Sequence, residues 1–249
     1  MIERGDEQER PLAMGPTGRV LHPVGALFEA AFRRVGQHFG AYLLYTVLAA
    51  LPAALLAYSL DRGGASGWGM LGAILVVYAI GHLALVGLLA ALVTGGLRER
   101  MGSIALTVVV GGVVLGAAST LLPPLALLVY PFVVLGPIAA AAGDRTGPAA
   151  LVHGAAIAGR ALGRTALVVA GLLLVSLFLW FGFVIALSPL RDTAQQVGAF
   201  AAVTLLVWPV AALVQRNLYG DLTGRLVIRE APGESERQAR LKRRGRRRG

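Results

Sequence analysis

Six long stretches of this chain, residues 39–60, 69–94, 103–122, 125–142, 165–187 and 197–214, contain no Asp, Glu, Lys or Arg. An α-helix of about 20 apolar residues crosses a hydrocarbon layer about 30 Å thick, and each stretch approaches or exceeds that length. The pattern fixes the solvent: most of the chain belongs in a lipid bilayer. Composition agrees, with 56% hydrophobic and only 14% charged residues among 249, against about 25% charged in soluble domains. A soluble protein of this size could not hide so much apolar surface. The expected fold class is therefore all-α, a polytopic membrane protein with six transmembrane helices and cytoplasmic interfacial amphipathic helices.

The basic residues are distributed unevenly between the two sides. Twenty-one of the 23 lie in the leading segment, in the joints after the second and fourth stretches, or beyond the sixth, and the alternate joints hold only Arg62 and Arg191. This alternation requires an even number of crossings, and the positive-inside rule then puts both termini in the cytoplasm. Tyr58 and Trp68 are expected at one interface, Tyr42 and Tyr219 at the other. The first 22 residues mix acidic and basic side chains with no apolar core of a signal peptide, so the first span is expected to serve as an uncleaved anchor. With no cysteine, disulfides, thiolate chemistry and cysteine metal sites are excluded.

The domain reading is a polar tail over 1–21, an amphipathic interfacial helix over 22–38, a six-helix domain over 39–214, a juxtamembrane helix over 215–230, and a basic disordered tail over 231–249. In the amphipathic segment Val24, Leu27, Phe28, Ala31, Phe32 and Val35 recur at helical spacing, with Glu29, Arg33, Arg34 and Gln37 opposite. Such a helix lies in the acyl boundary or, alternatively, packs on another part of the chain. In 148–163, His153, Arg160 and Arg164 share one helical face and Leu151, Ala155, Ala158 and Leu162 another. Over 217–227, Leu218, Leu222 and Leu226 repeat every four residues. Pro123-Pro124 predicts a tight hairpin between spans three and four, a kinked or re-entrant pair being the alternative, and Pro131 and Pro137 predict a bent fourth span.

The order of parts carries a resemblance. An amphipathic helix precedes span one, Gly-Gly-Leu-Arg (residues 95–98) follows span two, Gly-Pro-Ala-Ala-Leu (147–151) and an arginine-bearing helix precede span five, and Leu-Tyr-Gly-Asp-Leu (218–222) with Arg225 follows span six. Over residues 22–228 this resembles the six-helix membrane domain found beside glycerophosphodiester phosphodiesterases in some bacteria, and its stand-alone relatives. The family often has Arg-Ser where this chain has His153-Gly154, and Arg where it has Thr223. The resemblance implies a multi-pass protein of the bacterial inner membrane and carries no phosphodiesterase activity, because the catalytic domain is absent.

The chemistry-bearing residues are few. Tyrosines aside, His82 is the only ionisable side chain inside a span, and intramembrane ionisable groups are functional candidates by default; a neutral His bonded to a neighbouring helix is the competing reading. Gly67-x-Gly69-x-x-Gly72 matches a dinucleotide fingerprint but opens a span instead of following a strand. Gly112-x-x-x-Gly116 is a small-residue face suited to close helix packing, within the chain or in a homodimer. No carboxylate pair, nucleophile–base set or metal-ligand spacing is present, so no catalysis, cofactor or metal is expected. The candidate functional residues are His82, His153, Arg160, Arg164, Tyr219, Asp221 and Arg225. In the tail, Arg240, Lys242, Arg243, Arg244, Arg246, Arg247 and Arg248 point to anionic lipid headgroups in preference to nucleic acid. Two functions follow: a non-catalytic scaffold or accessory protein of membrane or lipid physiology or, alternatively, a carrier or channel for a neutral or lipid-like small molecule around helices broken at Pro131, Pro137 and Pro209.

Overall fold

The computed structural model describes residues 21–64, 67–95, 97–189 and 192–226, and every regular element among them is helical. The polar leading tail and the basic cluster of residues 240–248 lie outside the described residues. The helices are α1 (Val24–Gln37), α2 (Phe39–Arg62), α3 (Trp68–Thr94), α4 (Leu97–Leu121), α5 (Pro123–Val133), α6 (Leu135–Ala142), α7 (Pro148–Arg160), α8 (Leu162–Ala186) and α9 (Asp192–Leu222). Six are long and apolar enough to cross a membrane, with α5 and α6 together making the fourth. The six spans expected from composition are therefore present.

The core sits among α3, α4, α6 and α9, while α2 and α8 are peripheral and turn most of their leucines and phenylalanines outward. Lipid tails are as apolar as leucine, so such a core holds by close approach and dispersion, and small residues permit the approach. A Cβ on Gly81 would come within 2.2 Å of the Ala49 carbonyl oxygen in α2. On Gly112 or Gly116 it would meet Ile80 or Val76 of α3 at 2.3 and 2.5 Å. The Gly112/Gly116 face is thus used within the chain, between α3 and α4.

The hairpin at Pro123-Pro124 forms as expected, α5 folding back on α4. The bend in the fourth span falls at Val134. Its cause is Pro137, which offers no N–H to the Val133 carbonyl four residues back and whose ring crowds it. Against expectation, Pro131 and Pro209 lie inside unbroken helices.

The structure bears on three further expectations. The last apolar repeat is no separate juxtamembrane helix: α9 runs continuously to Leu222. Tyr42 and Tyr219 are buried among the helices, whereas Tyr58 and Trp68 are exposed. The apolar stripe of α1 is divided: Leu27, Ala31 and Val35, spaced by four, are buried mainly against α9, with only Phe32 strongly exposed. Asn217 of α9 donates to the Leu27 carbonyl (3.2 Å) and Phe28 covers Gly171 of α8, so α1 is packed on the bundle.

Candidate functional site

Two ionic clusters form at the end of the bundle where α3 meets α4, and a neutral polar cluster forms within the spans. The first ionic cluster grows from the last turn of α9. Asp221 has a side chain only 2% exposed, and both of its oxygens are engaged. Oδ1 accepts from the His22 ring Nδ1–H (2.6 Å) and the His22 backbone N–H (3.2 Å). Oδ2 accepts from the Arg164 guanidinium, which also donates to the His22 carbonyl. Arg164 is itself 13% exposed, and its Nε has no partner. This pair ties the chain ahead of α1, the start of α8 and the end of α9 together. A mostly buried charge pair persists only where hydrogen bonds satisfy its remaining lone pairs and protons, and the carboxylate here has them.

The second cluster depends on two helix ends. After α6, Gly143 takes a left-handed conformation (φ 79°), and Asp144 N–H returns to the Ala139 carbonyl (3.1 Å), a Schellman-type stop that turns Asp144 toward α9. Arg100 of α4 donates to the Ala141 carbonyl (2.6 Å), capping the same helix end. After α9, Gly224 (φ 70°) reverses the chain and Arg225 N–H reaches the Gly220 carbonyl (2.7 Å). Arg225 then grips Asp144 with both nitrogens, Nη1 to Oδ2 at 2.8 Å and Nη2 to Oδ1 at 2.7 Å, and the Tyr219 hydroxyl donates to Oδ2. Partial burial opposes the Asp144 carboxylate. The bonds from Arg225 and Tyr219, with the positive fields of Arg225 and His153, outweigh it and hold the pKa below its ordinary value. Asp144 in turn raises the pKa of Arg225.

The third cluster surrounds His82, which is 7% exposed. Its Nε2 lies 2.8 Å from the Tyr130 hydroxyl of α5, and Gln215 of α9 donates its Nε2–H to that same hydroxyl. A Tyr130 hydroxyl that receives Gln215 and gives its own proton to His82 Nε2 would place the imidazole proton on Nδ1. A charged imidazolium at this depth would cost about 3 kcal/mol or more, and no carboxylate in a span opposes it. His82 Nδ1 and Gln215 Oε1 are buried without partners. The Trp208 ring packs edge-on against His82 (centroids 5.1 Å) and at a tilt against Tyr78 (4.6 Å), and the Tyr78 hydroxyl pairs with Thr204 (3.0 Å).

Of the seven candidates from sequence, Arg164 and Asp221 meet in one cluster and Tyr219 and Arg225 in the other. His153 of α7 contributes its field at Asp144, and His82 stands apart within α3. Arg160 is exposed and engages no partner among the described residues. Sequence reasoning missed His22, Asp144, Tyr130 and Gln215. Its one available signal was Gln215, an uncharged polar residue directly behind an apolar run. Gly154 has a packing reason: a Cβ on it would sit 2.6 Å from the Gly136 nitrogen, just past the bend in the fourth span.

No group of three or more metal-ligating side chains occurs among the described residues. Architecture and sites define a class, the all-α multi-pass membrane protein whose ion pairs, among the described residues, are gathered at one end of the bundle. No protein-family model, curated protein or solved structure matches the chain.

Proposed function

We propose that the protein is a non-catalytic scaffold or accessory protein of a bacterial inner membrane, acting in lipid or envelope physiology with both termini in the cytoplasm. The observation that carries this reading is that Asp221, Asp144, Arg164, Arg225 and Tyr219 are all engaged with one another or with His22 ahead of α1, as braces of one end of the bundle. The resemblance to the membrane domain of glycerophosphodiester phosphodiesterases supports it, as does the partition of basic residues for orientation. The basic residues of 240–248 would hold anionic headgroups on the cytoplasmic side, at about 1 kcal/mol each. Partners on this reading are membrane lipids and a second membrane protein or a second copy of the chain.

The carrier reading is favoured by a different observation, a cavity beside His82 with an almost wholly apolar lining. Reconstitution into vesicles holding a headgroup-labelled fluorescent phospholipid separates the two. A membrane-impermeant reductant is expected to bleach only the outer-leaflet dye, as in protein-free vesicles. Bleaching of the inner-leaflet dye in step with protein content would sink the scaffold reading. For orientation, single cysteines at Ser66 and Thr193 should react with an impermeant thiol reagent in intact cells, and one at Thr146 should not.

A further inference from the structure

Asp221, Arg164, Asp144 and Arg225 answer one another, whereas the half-buried Arg216 of α9 pairs with no carboxylate among the described residues. Its Nη1 donates to the Asn217 side-chain oxygen (3.2 Å), and Asn217 is in turn held by the Leu27 carbonyl of α1. Most of a five-donor fork is left without an acceptor. The charge that reaches Arg216 is a second cation, Arg34 of α1, and the buried Tyr42 of α2 lies within the same electrostatic reach. Arg34 stands seven residues on from Leu27 and three from Ala31, so it continues the stripe of α1 that packs on α9 while staying exposed. Glu29, the acid of α1, is taken by Arg33 (2.6 Å) on a different face. Two like charges, one of them half out of water, are costly unless an anion neutralises them.

We propose that Arg34 and Arg216 form a site for the phosphodiester of an anionic phospholipid headgroup, its oxygens accepting from the Arg216 fork while Arg34 supplies the second positive charge. Depth supports a lipid. Trp208 packs on His82, near the midpoint of α3, and Arg216 stands eight residues further along α9, about 12 Å. Half the thickness of a hydrocarbon layer is about 15 Å, and an arginine stem carries its charged head outward from there. The guanidinium therefore reaches the level of the headgroups. Its planar fork matches phosphate bidentately, and basic pockets between transmembrane helices hold anionic headgroups by this chemistry. A zwitterionic headgroup is disfavoured, because its ammonium adds a third cation to the pair. The two arginines stand on helices that pack on each other, so the fold sets their spacing. The site needs only a bilayer around the spans and stands whether the protein is a scaffold or a carrier.

The chain has no cysteine, so Gln37→Cys, one turn beyond Arg34, accepts a single environment-sensitive bimane label. The labelled full chain in dodecyl maltoside is titrated with dioctanoyl phosphatidylglycerol, dioctanoyl phosphatidylcholine or inorganic phosphate. The dye response should saturate with phosphatidylglycerol, need at least about fivefold more phosphatidylcholine, and be absent with phosphate over the same range. Arg34→Gln and Arg216→Gln should each weaken phosphatidylglycerol binding about fivefold. Arg33→Gln, whose charge is already engaged by Glu29, should leave it unchanged. If Arg216→Gln fails to fold, Arg34→Gln carries the test, since that side chain is exposed. No saturable response to phosphatidylglycerol, or an equal one to phosphatidylcholine, would overturn the site. A loss in Arg33→Gln as large as in Arg34→Gln would reduce it to diffuse surface charge. Equally tight saturation by inorganic phosphate would overturn the assignment to a lipid.

Discussion

Asp221 and His22 stand 199 residues apart in the chain and 2.6 Å apart in space. The contact closes the protein on itself, because it fastens the segment ahead of α1 to the last turn of α9 while Arg164 of α8 clamps both.

Asp221→Asn keeps an acceptor but leaves the Arg164 guanidinium without its counter-charge in a mostly buried setting. Breaking one side of such a pair costs about 3 kcal/mol, so the melting temperature in detergent should fall clearly. Trypsin should also cut faster at the exposed Arg33 and Arg34 of α1, whose anchor is loosened. His22→Ala should do less, since His22 is more than a third exposed. Unchanged melting and unchanged cleavage in Asp221→Asn would refute the brace.

Asp144 predicts a pH dependence whose sign follows from its lowered pKa. Because the folded value lies below the ordinary 3.8, the stabilisation is complete above about pH 4 and disappears as pH falls through the lowered value. The parent should melt above Asp144→Asn at pH 7, and the gap should close toward pH 3. Its size should be about 1 kcal/mol, because Arg225 is more than half exposed and solvent screens the pair. A gap that widens on acidification would contradict the assignment.

Gly81→Ala and Gly182→Ala form a matched pair. The first pushes a methyl against the Ala49 carbonyl, a backbone atom that moves only with α2, and should destabilise by about 1–3 kcal/mol. The second adds a methyl where nothing lies within 4 Å and should be neutral or slightly stabilising. Equal melting temperatures for both would show that α2 does not pack on α3 at this point.

A double-mutant cycle of His82→Leu with Tyr130→Phe should give a coupling of about 0.6–2 kcal/mol, the range for hydrogen bonds between membrane helices. His82→Gln alone should be nearly silent. Strictly additive losses would show that His82 Nε2 and the Tyr130 hydroxyl do not interact.

What the amino-acid sequence determined by itself is the medium, the number of spans, the Pro123-Pro124 hairpin and the bend in the fourth span. Each is a local property: an uncharged apolar run of sufficient length partitions into lipid whatever its neighbours do, and a proline withholds its N–H wherever it stands. His82 was legible for the same reason, as a rare group against an apolar background. Its partners were not, because Tyr130 and Gln215 reach it from two other helices. Only the tertiary structure distinguished Gly112, pressed on Ile80, from Gly182, which faces open space, among 33 glycines. It alone turned the stripe of α1 onto α9 and made Asp144 and Asp221 the hubs of separate clusters. The physical reason is that contacts at the end of a helical bundle depend on which helix ends converge there, and the sequence periodicity of a single helix contains no information about its neighbours.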